Sequence, residues 1–141
     1  MFKTVLFPID QSREAREAVD TVINIVQTYQ SHLILLSVVE KQASDETPSG
    51  VDMMTSVEAV AKLLQGAQAV FAEKGIQTEI LEKEGMPSFT ICDVADEVNA
   101  DLIIMGCRGL GLLVDGAVES ATKSVTNRVI NLSPCPVLVV P

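Results

Sequence analysis

Basic residues are scarce in this sequence: 10 lysines and arginines face 19 aspartates and glutamates, a formal charge of −9 over 141 residues. Nucleic-acid backbones and anionic membrane surfaces recruit clustered Lys and Arg, so neither is an expected partner. Cysteine is sparse as well. Cys92, Cys107 and Cys135 form an odd set without C-x-x-C or Cys/His spacing, which argues against a disulfide framework or zinc site and for reduced thiols. No apolar run approaches a membrane span, and the start MFKTVLFPID has too short an apolar run for a signal peptide. A soluble, cytoplasmic protein is expected. Histidine occurs once, and there is no H-x-x-H, no Walker lysine motif and no pair of carboxylates at catalytic spacing. With no Ser or Cys partner indicated, His32 reads as a surface side chain at a strand start and not as a base.

What the sequence does have is apolar patterning over one domain's length, enough to bury roughly two thirds of the unfolded surface. Thr4 to Ile9 is a short run of strand formers. From Ser12 to Tyr29 the spacing turns helical: Ala15, Ala18, Val19, Val22, Ile23, Val26 and Tyr29 share one face, Arg13, Glu14, Arg16 and Glu17 hold the other, and Ser12 stands as N-cap. HLILLSVV, His32 to Val39, is apolar without alternation, as in a parallel strand covered on both faces. The polar stretch EKQASDETPSGVD reads as a loop. Val57 to Phe71 is helical through Val57, Val60, Ala61, Leu64, Ala67 and Phe71, and Gly75 stops it.

IQTEILEKEG reads as a strand, GMP as a break, Ser88 to Val98 as a helix and DLIIMG as another buried strand. A glycine-rich loop and a last helix lead to SPCPVLVVP, a strand bracketed by Pro136 and Pro141 and therefore at a sheet edge. Met53, Met54 and Met86 read as gap fillers or loop-edge residues and not as a cofactor box. The order β-α-β-α-β-α-β-α-β predicts an α/β fold. It is one domain over residues 1–141, with an open five-stranded parallel sheet, right-handed crossovers and helices on both faces.

Five segments in order resemble the universal stress protein family in its small single-domain form. They are VLFPIDQSREAREAV at the start, LILLSVVE on the second strand, GMP after the third, ADLIIMGCRG running into the loop, and SVTNRVINLSPCPVLVV at the end. The resemblance spans nearly the whole chain. It implies a Rossmann-like sheet of the adenine nucleotide alpha hydrolase kind, a homodimer through the last strand, Pro136–Val140, and a stress-response regulator with at most weak ATP hydrolysis. Family members divide into ATP binders and non-binders. The implied ligand is ATP or AMP, with Mg2+ an optional companion of the phosphates.

The binders carry glycine-x-x-glycine, nine residues, then glycine and serine or threonine. Gly106 and Gly109 match the first half, but nine residues further on stand Glu119 and Ser120, which would turn a carboxylate toward phosphate. Counting back from Cys135 places the pair at Lys123 and Ser124, where SVTNRVI fits the family's helix start better than SATKSVT; four extra residues then lie in the loop. In that register the resemblance implies that Gly106, Arg108, Gly109, Lys123, Ser124, Val125 and Thr126 surround phosphate. Lys123 replaces a glycine, losing room and adding a cation. The underlying physics is the attraction of an anion to helix N-terminal N–H groups and their dipole.

At the adenosine end the resemblance implies Pro8, Ile9, Asp10 and Val38, with Met105 as an apolar wall. Open α/β sheets bind ligands at the carboxyl ends of their strands, where Asp10 falls. From the residues alone, two structural alternatives stay open. Gly106, Gly109, Gly111 and Gly116 could serve only to let a surface loop turn, and Asp10 could serve only to cap the helix at Ser12.

Three functions compete: an adenine-nucleotide-binding regulator, a slow ATPase or nucleotidyl transferase, and a nucleotide-free dimeric scaffold or chaperone-like protein. The transferases of the wider group carry Ser-Gly-Gly-x-Asp-Ser after the first strand, where this chain has DQSREA. That argues against adenylation. Cys107 lies in the glycine loop, where Arg108 is the one neighbour in sequence that would favour its thiolate, and its role stays open at this point.

Overall fold

A computed structural model describes residues 1–10, 12–39, 57–107 and 125–141, and along them strands and helices alternate. They are β1 (Thr4–Pro8), α1 (Arg13–Tyr29), β2 (His32–Val39), α2 (Val57–Glu73), β3 (Thr78–Glu84), α3 (Pro87–Glu97), β4 (Leu102–Gly106), α4 (Val125–Leu132) and β5 (Val137–Val140). The strands form one sheet in the order β3-β2-β1-β4-β5, with every neighbouring pair parallel.

The unbroken apolar runs of β1, β2 and β4 are explained by two covered faces. Alternate residues turn to opposite sides. Val5, Phe7, Leu33, Leu35 and Ile104 pack against Val22 and Val26 of α1 and Val60, Leu64 and Phe71 of α2. Leu6, Ile34, Leu36, Ile103 and Met105 meet Ile91, Val94 and Ala95 of α3 and Val129 of α4. Phe7 and Phe71 are fully buried and meet edge to face, ring centroids 6.2 Å apart. Each such ring contributes about 1.5–3 kcal/mol through burial.

Helix ends follow local chemistry. Ser12 caps α1 through its hydroxyl, which accepts the Ala15 N–H at 3.2 Å. Gly75, at φ +76°, ends α2: its N–H donates to Ala72 at 2.9 Å and the Ile76 N–H to Phe71 at 3.0 Å, satisfying carbonyls the helix leaves open. α1 and α3 stop the same way without glycine, at Gln30 (φ 52°) and Asn99 (φ 53°). α3 starts one residue earlier than the spacing predicts because Pro87 fits the first helical position, where its missing N–H costs nothing.

Two positions assigned to buried helix faces lie outside them. Val57 is 58% exposed in the first turn of α2. Tyr29 is 43% exposed at the last turn of α1, where its ring stands edge-on to Phe2 at 5.1 Å instead of entering the core. His32 is exposed as expected, its Nε2 2.9 Å from Glu79 Oε2. Met86 is exposed at the start of α3, while Met53 and Met54 lie outside the described residues. No helix among the described residues is long and apolar enough to cross a membrane.

Candidate functional site

The carboxyl ends of the strands do not finish level. The Ile9 N–H donates to Leu36 O at 2.8 Å just past the end of β1, yet β2 runs on to Val39. Residues two apart in a strand turn the same way, so the N–H and C=O of Val38 face the side of the Leu36 carbonyl, beyond that bond. The opposite side of β2 is still paired there, with the Gly85 N–H on Val39 O at 3.0 Å.

Asp10 follows directly on this step. It is solvent-exposed, and its Oδ1 accepts the Ser12 N–H at 2.8 Å. The two structural duties at this turn are therefore divided: Ser12 caps α1, and Asp10 holds Ser12 in place. One carboxylate oxygen suffices for that, which leaves Oδ2 for other donors.

Gly106 closes β4 from the other side. A Cβ built there would lie 2.4 Å from the backbone oxygen of Glu14, so β4 seats directly on the main chain of the first turn of α1. No side chain larger than hydrogen fits. The carbonyl of Gly106 accepts the Thr126 hydroxyl at 3.1 Å, which ties the first turn of α4 to the same strand end. The next residue, Cys107, donates its N–H to Val140 O of β5 at 2.8 Å.

Between these ends lies a cleft of about 180 Å3, far above the roughly 10–15 Å3 that one water requires. Its floor and sides are apolar, from Pro8, Ile9, Leu36, Val38 and Met105. Three helix starts border it: Ser12 and Ala15 at α1, Pro87 and Ile91 at α3, Val125 and Thr126 at α4. Each brings the positive end of a helix dipole. Apolar walls with a few polar groups at one side suit a flat aromatic ring joined to a polar or anionic tail.

Of the residues singled out from sequence, Pro8, Ile9, Asp10, Val38, Met105, Gly106, Val125 and Thr126 all line this one cleft. Arg108, Gly109, Lys123 and Ser124 lie outside the described residues, as do Gly111 and Gly116. Sequence reasoning passed over Ser12, Ala15, Leu36, Pro87 and Ile91 as site residues. The signals were present: Leu36 shares a pleat side with Val38, and the GMP break puts the start of α3 at the same sheet end.

The other ionisable groups lie elsewhere. Burial, helped by nearby Asp93 and Cys135, pushes the Cys92 thiol up from its ordinary value. Burial raises Cys135 too, against an opposing hydrogen bond with Ser133. No group of three or more His, Cys, Asp or Glu among the described residues could hold a metal ion.

Comparison with known proteins agrees with this architecture. A model of the Universal stress protein family matches residues 1–141. Universal stress protein Sll1654 from Synechocystis is 65% identical over 143 residues, covering 100% of this chain and 87% of that protein. The crystal structure of a universal stress protein in complex with cAMP superposes with a TM-score of 0.75 at 23% identity, over 99% of this chain and 97% of that one. A universal stress protein family protein from Arabidopsis thaliana with AMP bound has a TM-score of 0.73 at 22% identity, over 98% and 90%. Both structures share the fold.

Proposed function

The chain belongs to the universal stress protein family, and on that basis we propose that it binds an adenine nucleotide in the cleft and acts as a stress-response regulator in the cytoplasm. The observation that carries this reading is the convergence of the overhanging main chain of Val38, the Asp10 carboxylate and three helix starts on one apolar cleft. A nucleotide has matching parts. Adenine offers an acceptor and a donor on adjacent ring positions, complementary to the N–H and C=O of a single residue such as Val38. Ribose hydroxyls can donate to Asp10 Oδ2. Phosphate suits the start of α4, where Thr126 adds a hydroxyl. The cAMP and AMP complexes of structural relatives support the choice of ligand. ATP would bring Mg2+ with it. Binding is the function on this reading, with hydrolysis weak or absent, since the described cleft offers no obvious general base beyond Asp10.

The protein works as a homodimer through β5. This strand is an edge of the sheet, four apolar residues long and only half-buried, whereas the opposite edge, β3, exposes Glu79, Glu82, Lys83 and Glu84. Charged edges resist pairing and apolar ones invite it.

Equilibrium dialysis of the purified protein against adenine and guanine nucleotides tests the ligand. Binding of the adenine series at least tenfold tighter is expected, because guanine reverses the donor and acceptor that meet Val38. Absence of binding by every adenine compound would overturn the proposal and favour the nucleotide-free scaffold. Light scattering at micromolar concentration should give twice the chain mass; a monomer would remove the dimer.

A further inference from the structure

We propose that Cys92 and Cys135 form an oxidant-sensitive thiol pair, a covalent modification site that a peroxide closes to a disulfide between α3 and the start of β5. The site lies in a part of the molecule that the nucleotide reading does not use.

Both thiols enter one apolar layer. Cys92 is buried in the cluster that Leu6, Ile34, Ile103 and Val129 form beneath α3 and α4, and Cys135 packs against the same cluster from the turn before β5. They are near enough for the charge of Cys135 to be felt at Cys92. Cys107 is set apart from Cys135: its N–H donates to Val140 O at the carboxyl end of β5, whereas Cys135 precedes the amino end. The four residues of β5, at about 3.3 Å each, hold those two more than about 10 Å apart. A disulfide spans at most about 7 Å between Cα atoms.

The two sulfurs have unequal surroundings, which gives them unequal roles. Cys135 is half-buried, and Ser133 holds its turn: the Ser133 hydroxyl donates to Cys135 O at 2.7 Å and accepts the Cys135 N–H at 3.2 Å. The same oxygen lies 3.7 Å from Cys135 Sγ, so its proton can turn to the sulfur as charge forms there. Ser133 and the main chain of Ile103 favour the Cys135 thiolate, against burial and the Asp101 charge. Every cause acting on Cys92 disfavours its thiolate, burial first and then the charges of Asp93 and Cys135. Cys135 therefore meets the oxidant first, and Cys92 resolves it. The Cys135 thiolate attacks one peroxide oxygen, the O–O bond breaks, and the departing hydroxide takes up a proton and leaves as water. Conversion to the sulfenic acid removes the Cys135 charge that opposed ionisation of Cys92. Cys92 then gives up its proton and attacks the sulfenic sulfur; the S–S bond forms as the S–O bond breaks, and a second water leaves. Two thiols are oxidised and one peroxide is reduced. Because burial keeps both thiols protonated at neutral pH, the pair stays reduced until peroxide is abundant.

The test exposes the reduced full chain to hydrogen peroxide, blocks the remaining thiols with iodoacetamide in denaturant, and digests the protein without reduction. Mass spectrometry should show the peptides of Cys92 and Cys135 joined, lighter than their sum by two hydrogens, and separated again by dithiothreitol. On a denaturing gel without reductant the oxidised chain should run at the mass of a single chain. Cys135→Ser should abolish the link and leave Cys92 as a thiol, whereas Cys107→Ser should leave the link in full yield. Cys135 oxidised alone with Cys92 still alkylated, a covalent dimer, a link to Cys107, or no reaction of either thiol in excess peroxide would each overturn the pair. None of these outcomes bears on the nucleotide reading, which the dialysis experiment decides separately.

Discussion

The two ends of the same sheet handle polar groups in opposite ways. At the amino end they close on one another: Asp101 Oδ2 accepts the Thr4 N–H at 2.9 Å while the Asp101 N–H donates to Thr4 O at 2.8 Å. Ser31 donates its hydroxyl to Phe2 O, and His32 meets Glu79. At the carboxyl end the strands finish unevenly, the Asp10 carboxylate is only half committed, and three helices begin around an apolar cleft. Parallel strands with helical crossovers impose this asymmetry, because every helix that follows a strand starts at the carboxyl end. Stability and binding should accordingly separate along the strand axis.

Gly106→Ala should produce the largest effect and is the exception that tests the rule. Its new methyl would overlap the Glu14 main chain, and overpacking of this kind costs about 1–3 kcal/mol. Because the same contact positions the start of α1 at the cleft, both urea stability and nucleotide affinity should fall. A variant as stable as the parent would mean that α1 shifts without cost.

Asp101→Ala comes next and belongs to the closed end alone. It leaves the Thr4 N–H without its carboxylate; bonds to charged groups contribute about 1.5–3 kcal/mol when buried, and this one is only partly so, which places the loss near the lower figure. Urea denaturation should register it. The dissociation constant for the nucleotide should stay within twofold, and a larger change would break the separation of the two ends.

Asp10→Ala is the converse. Ser12 keeps its own capping bond to Ala15, so the stability loss should stay below about 1 kcal/mol, the typical value of a lost cap. Affinity for adenosine and AMP should drop about tenfold. Unchanged affinity with lowered stability would assign Asp10 to holding Ser12 alone.

The same contrast explains what could be read from the residues. β2 and β4 were legible because burial on both faces leaves no room for polar residues, and Ser12 because a cap is local. Residues 8–10 and 38 were assigned to a ligand by resemblance, and the strand ends bring them together. What escaped depended on distant contacts. The close approach at Gly106 is set by the backbone of α1, and glycine there read equally well as ligand room or loop freedom. Pro87 and Ile91 reach the cleft only because the crossover returns α3 to that end. The stops at Gln30 and Asn99 carry no glycine, and Tyr29 kept the helical period while packing on Phe2 outside the core.

The smallest effect probes the closed packing beneath α3 through pH. Burial raises the thiols of Cys92 and Cys135 in the folded protein, whereas in the unfolded chain both titrate near the ordinary value of about 8.5. Below that value both states hold the thiol protons and no pH dependence arises from them. As pH rises past it, the unfolded chain ionises first, the folded state holds more protons, and folding stability falls until the buried thiols titrate as well. Urea midpoints of the parent should therefore decline between about pH 8 and pH 10. Cys92→Ala removes one of the two groups, and although its midpoint is lower at neutral pH, its decline over that window should be shallower. Asp101→Ala should act in the same direction through Cys135, because the Asp101 charge is one of the causes that raise that thiol. Parallel declines in parent and Cys92→Ala would show that the Cys92 thiol titrates equally in both states, and that the packing beneath α3 is open enough to solvate it.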